Sequence, residues 1–174
     1  GLVNINLDED TVARRTPIEN GFDFKIAQKY TPEAIDIYKI PLENEEMLIN
    51  YFAEPYGYNE IPFVEVYRGN FDQSRVEGKI ALIGVTTQKI KDHFATPKDK
   101  KIEMPGVEVR ANSIQTILSG DHLQNQSQFS ETITIIALAL AVALILSLLN
   151  IWLATGIILA IGVGYYGYAH FEYG

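Results

Sequence analysis

The chain has no cysteine, so no disulfide framework can staple it, a trait compatible with either side of a membrane. A second absence is more informative: residues 132–171 contain no Asp, Glu, Lys or Arg. As one helix rising about 1.5 Å per residue this stretch would reach about 60 Å, roughly twice the hydrocarbon thickness of a bilayer, so it reads as two crossings. Ser147 and Asn150 break the apolar run and place the crossings at 133–149 and 151–171. Trp152 after the break and Tyr165, Tyr166, Tyr168 and Tyr173 at the far end carry the amphipathic rings that settle at membrane interfaces. The segment lies at the C-terminal end, so it is not a signal peptide.

All 14 basic residues and 21 of the 22 acidic ones precede the apolar segment, giving the aqueous part a net charge of −7. The chain therefore divides into a soluble domain at 1–130 and a membrane segment at 131–174. So acidic a domain is no general nucleic-acid surface, which needs concentrated Lys and Arg; Lys98, Lys100 and Lys101 read as a solvated loop. Within the second crossing Gly156, Ala160 and Gly164 recur every four residues on one face, a spacing that lets another helix approach closely. Two crossings return the chain to the side it left, so an effector on the opposite side requires a further crossing, and the chain reads as an excerpt of a longer protein.

Catalytic signatures are also scarce. There is no phosphate-cradling Gly-Lys-Ser/Thr loop, no Gly-x-Ser-x-Gly elbow and no His-Glu-x-x-His helix. Asn6, Asp8 and Asp10 begin like a calcium loop, but Thr11 stands where glycine is required and Pro17 where glutamate is, so a hairpin turn is the better reading. His93 and His122 are too separated to argue a metal site, and no metal or cofactor is implied.

Along the aqueous domain, the alternation in 2–7 and the Asp8-Glu9-Asp10 turn predict a hairpin with 11–15. Phe22, Ile26, Ala27 and Tyr30 predict a helix over 22–30, limited by Pro32. Residues 47–52 form a short strand candidate. The apolar run 80–85 predicts a central strand with both faces covered, and Val107, Ala111, Ile114 and Leu118 predict a helix face ending at Gly120. Strand, polar loop and amphipathic helix together point to an α/β domain with a mixed sheet, followed by a transmembrane α-helical hairpin.

The loop after the run 80–85 concentrates the polar chemistry: Thr86, Thr87, Asp92 and Thr96 are candidate ligand-binding residues. Asp92-His93 resembles an acid–base pair, yet neighbours in an extended segment point opposite ways, so Asp92 reads better as a carboxylate that fixes the loop near Thr96 and Pro97. A membrane-anchored envelope enzyme using Thr86, Thr87, Asp92 and His93 stays open as an alternative, as does a structural adaptor, but no nucleophile–base or metal constellation supports catalysis.

The order GLVNINLDEDTVARRTPI, LINYFAEP, GKIALIGVTTQKIKDHFATP, MPGVEVRANSIQTILSGDHL and paired apolar helices closely resembles the second type of CHASE domain. Its most specific part is Asp92-x-Phe94-x-Thr96-Pro97 followed by Met104-Pro105-Gly106-Val107-Glu108. The resemblance implies an extracytoplasmic sensory module of a multi-pass plasma-membrane protein, coupled in such proteins to an adenylate or guanylate cyclase, a histidine kinase or another effector. It implies no enzyme activity for this segment and brings no established ligand. The family's earlier half and the helix that usually follows are not represented. The partners expected are the lipid bilayer and an extracytoplasmic ligand; a homodimer is one arrangement this reading allows.

Overall fold

The computed structural model of the protein describes residues 5–32, 35, 37–125 and 128–173, and the side chains among these except at 37, 128 and 168–173. Leu2, Val3 and Asn4 of the expected hairpin, and the rings of Tyr168 and Tyr173, lie outside what is described. The chain forms two compact units, 1–124 and 125–174.

In the first unit the expected turn is present. Thr11 N–H donates to the Asp8 carbonyl at 2.8 Å and Asp8 N–H to Val12 at 3.1 Å, with Thr11 at a φ of 63°. Arg14 closes the turn by binding both Asp8 and Asp10, and the Arg14 guanidinium holds the Asp10 carboxyl well below the usual range. These carboxylates serve an arginine. Beyond one bridge between Asn6 and Arg15, however, the second arm pairs elsewhere: β1 (Arg15–Pro17) runs antiparallel to β2 (Glu46–Leu48), with Thr16 opposite Met47. β2 is shorter than the expected 47–52: after Ile49, whose amide still donates to the Arg14 carbonyl, the amides of Asn50, Phe52 and Ala53 go to side chains of a helix.

Helix α1 (Phe22–Tyr30) has the expected limits, and α2 (Phe63–Arg68) contributes no buried residue. β3 (His93–Phe94) pairs with β4 (Met104–Pro105), and α3 (Gly106–Ser119) follows at once, closed by Gly120 in the left-handed region at a φ of 70°. The α/β class therefore holds, but in place of one mixed sheet the described residues form two separate two-stranded antiparallel sheets.

α3 is the centre of the domain. On one flank Ile114 and Ile117 pack with Ile18, Phe24, Ala27, Ile40 and Met47; on the other Val109 packs with Ala13, Ile49, Tyr51 and Met104. The expected face is only partly right: Ile114 is buried, while Val107, Ala111 and Leu118 are half-buried. A helix covered nearly all round has no single apolar stripe, so periodicity cannot locate its inner face.

The run 80–85 is not a central strand. No backbone hydrogen bond joins Ile80 to Thr86 to any other strand among the described residues, and Ile83 is 87% exposed. Ile80 and Leu82 pack on the α1–α3 core while Ala81 and Ile83 face out, so the alternation of a strand is present without neighbours. Gly84 lies against α3: a Cβ there would come within 2.4 Å of Val107 Cβ. Gly84→Ala is therefore expected to cost about 1–3 kcal/mol by overpacking. Adding Val107→Gly should recover part of that loss in a chemical denaturation series, and failure to recover any of it would refute the contact.

In the second unit α4 (Gln128–Leu148) and α5 (Ile151–Tyr173) are joined at 149–150, where the Asn150 side chain accepts from Leu153 N–H at 2.9 Å and caps α5. Phe129–Leu148, with a mean hydropathy of 2.4 and no buried share, is long and apolar enough to cross a membrane; the apolar stretch of α5, Ile151–Gly167, is shorter. Among the described side chains of α5 the less exposed are Ala154, Ile157 and Ile158, a different set from Gly156, Ala160 and Gly164.

Candidate functional site

The loop that carries Asp92 is tied to the N-terminal end of α3. Gly106 N–H donates to the Asp92 carbonyl at 2.9 Å, and a Cβ on Gly106 would stand 2.6 Å from Asp92 Oδ1, so the carboxylate rests over the first residue of the helix. An anion there is favoured by the partial positive charge of the helix terminus. The Asp92 backbone thus ties the loop to α3, while no described hydrogen bond joins its carboxylate to Thr96 or to any other group. The turn after Thr96 is held by Asp99 instead, whose carbonyl accepts from Thr96 N–H at 3.3 Å and whose Oδ1 accepts from Lys101 and Ile102 N–H.

The four candidate residues differ in exposure. Thr87 and Asp92 are exposed, Thr86 is half-buried, and Thr96 is 0% exposed with no hydrogen bond to its hydroxyl among the described residues. Thr87 Oγ1 accepts weakly from Lys89 N–H at 3.5 Å. No described hydrogen bond links Thr86 or Thr87 to Asp92 or Thr96. His93, in β3, points away from the acid–base role: both ring nitrogens are buried without a described partner, and the ring lies 6.3 Å from that of Tyr56.

Sequence reasoning missed a polar row on α3. Glu108, Asn112 and Thr116 recur every four residues, all buried, and each holds the segment that leaves β2. Thr116 Oγ1 accepts from Asn50 N–H at 3.0 Å, and Asn112 Oδ1 from Phe52 and Ala53 N–H at 2.9 and 3.3 Å. Glu108 accepts from Tyr56 N–H at 2.7 Å and Tyr58 N–H at 3.3 Å. The spacing was readable in the sequence, but polar residues four apart on a helix usually mark its wet face.

Burial pushes the Glu108 carboxyl above its ordinary value of 4.5, against the two amides that favour the charged form; burial and the nearby Glu108 push the Tyr58 phenol up to about 12. With the Glu108 value raised on folding, the folded state holds more protons than the unfolded one just above pH 4.5, so this contribution is full below 4.5 and is lost as pH rises through the folded value. The stability difference between wild type and Glu108→Gln is expected to vary with pH in that window. A pH-independent difference in denaturant midpoints would contradict the assignment.

The arrangement supplies anchoring and burial rather than an activated nucleophile, and no cluster able to hold a metal occurs among the described residues. The family profile of the CHASE2 domain matches residues 1–149. The chain belongs to the CHASE2 family. CHASE2 domains are extracytoplasmic sensory domains of membrane signalling proteins and are not catalytic. No curated protein and no solved structure matches the chain. The residues matched to CHASE2 include α4.

Proposed function

We propose that this CHASE2 domain senses a ligand or envelope condition outside the plasma membrane and passes it through α4 and α5, as two crossings, to a cytoplasmic effector such as an adenylate or guanylate cyclase or a histidine kinase. The observation that carries this reading is the family match that continues from the aqueous domain through an apolar helix. An outside sensor and an inside effector require an odd number of crossings, so a further helix works with these two.

The ligand contacts in this reading are Thr86, Thr87, Asp92 and Thr96, the last of them buried. Because Asp92 sits on the first residue of α3, a ligand that prefers one loop arrangement biases the helix whose far end leads toward α4. Only differential affinity for two arrangements can shift their populations. The small-residue face at Gly156, Ala160 and Gly164 is the surface against which another membrane helix repacks.

Fusing the chain through a further crossing to a cyclase reporter tests this. Output should change under some envelope condition, and Gly106→Ala, which displaces the exposed Asp92 carboxylate without touching the core, should alter that response at unchanged expression. Constant output across a broad set of envelope stresses would overturn the proposal.

A further inference from the structure

Four residues close a hydrogen-bonded ring around the C-terminal end of α3. Thr116 Oγ1 accepts from Asn50 N–H at 3.0 Å. Ser119 Oγ donates to the Thr116 carbonyl at 3.3 Å, one of the carbonyls that a helix end leaves without a helical partner, and accepts from Asp121 N–H at 3.2 Å. Asn50 Nδ2 then donates to Asp121 Oδ2 at 3.1 Å and, more weakly, to the Asp121 carbonyl at 3.4 Å, which completes the ring. Every partner lies between Asn50 and Asp121, so the ring forms without any segment from elsewhere.

The ring sits where the helix can no longer direct the chain. Gly120, at a φ of 70°, ends the helical ladder, and Asp121 beyond it is held by the side chains of Ser119 and Asn50. Asn50 also opens the segment that Thr116, Asn112 and Glu108 hold along α3. The far end of that segment, at Tyr56 and Tyr58, is bound to the first turn of the helix, the turn over which the Asp92 carboxylate rests. We propose that residues 50–58 are a strap coupling the two ends of α3, with Asn50–Asp121 as the latch that fixes how the chain leaves the aqueous domain toward α4. The inference rests on the sensing function proposed above and adds the element that carries a signal past the break at Gly120. A loop arrangement that keeps the strap on Glu108 keeps the exit fixed; one that draws the strap away loosens it at Asn50 and frees the exit.

The test reads amide exchange on the full 174-residue chain in detergent micelles and, in parallel, the output of the same chain fused through a further crossing to a cyclase reporter. Asn50→Asp sets a second carboxylate against Asp121 and leaves the backbone bonds of residue 50 in place. It should accelerate exchange at 117–121 by about fivefold or more without changing Val109, and should alter the reporter's response at unchanged expression. Asn50→Asp/Asp121→Asn exchanges donor and acceptor and should restore both. Unchanged exchange at 117–121 in Asn50→Asp, acceleration that extends equally to Val109, or no recovery in the double variant would each overturn the inference, whatever the fusion does. Altered exchange with an unaltered response would also overturn it and leave the sensing function standing. A wild-type fusion that answers no envelope condition would remove the sensing function and this inference together.

Discussion

Arg110→Ala should destabilise the aqueous domain by about 3–5 kcal/mol, because it leaves an uncompensated carboxylate in the interior. Arg110 Nη1 lies 3.0 Å from Asp23 Oδ2, with side chains 8% and 1% exposed, and Thr16 Oγ1 donates to the same oxygen at 3.0 Å. This pair clamps α3 to α1 and to β1. Asp23→Ala should be similarly damaging for the mirror reason, a buried guanidinium left without its carboxylate. The double variant Asp23→Leu/Arg110→Met should recover most of the loss, since well-packed apolar residues often replace a buried pair at little cost. Equilibrium denaturation reads these losses, and wild type, Arg110→Ala, Asp23→Ala and Asp23→Ala/Arg110→Ala form the double-mutant cycle. If each single variant lost less than about 1 kcal/mol, the pair would have no more weight than a surface ion pair.

Asn112→Leu should be the second severe change. Asn112 Oδ1 accepts from the Phe52 and Ala53 amides, and its Nδ2 donates to the Glu108 carbonyl at 3.0 Å. Leucine is close in volume but supplies no acceptor, so two part-buried N–H groups lose their partner at about 1–3 kcal/mol each where water cannot replace it. Beyond the global loss, amide exchange at Phe52 and Ala53 should accelerate more than exchange at Val109, which sits in the same helix but does not depend on this side chain. Uniform acceleration throughout α3 would mean that Asn112 acts through packing alone.

Both predictions rest on groups that were invisible in the sequence as functional partners. Asp23 and Arg110 lie 87 positions apart, and nothing in either local pattern pairs them. Asn112 lies off the apolar positions Val107, Ala111, Ile114 and Leu118 from which this helix is predicted. In contrast, α1 was legible to the residue, because Phe22, Ile26, Ala27 and Tyr30 repeat at helical spacing and Pro32 limits the run. The C-terminal limit of α3 was legible for an equally local reason, a glycine at the one position that needs a positive φ.

The candidate site was half legible. The loop 86–97 was recognisable from its polar residues after an apolar run, and Asp92 was read as an anchor. The bond to Gly106 is made by the Asp92 backbone carbonyl, and only the β3–β4 pairing brings a helix N-terminus beneath the carboxylate. The run 80–85 failed for a different reason. Apolar composition reports that a segment has a hydrophobic face to bury, but strand pairing is a property of two segments, and the second cannot be read from the first.

What the sequence by itself determined is the partition into an acidic aqueous domain and a charge-free apolar segment, the helices with strong periodicity or clear punctuation, and the membership of a sensory family through an ordered set of motifs. Those properties depend on composition or on spacing within a few residues. Only the tertiary structure decided that α3 is the central element, that Glu108, Asn112 and Thr116 turn inward to hold a loop, and that Ile80–Thr86 pairs with no strand among the described residues. Each of these depends on which distant backbone groups arrive beside a given side chain, and burial reverses the usual meaning of a polar residue once such a partner is there.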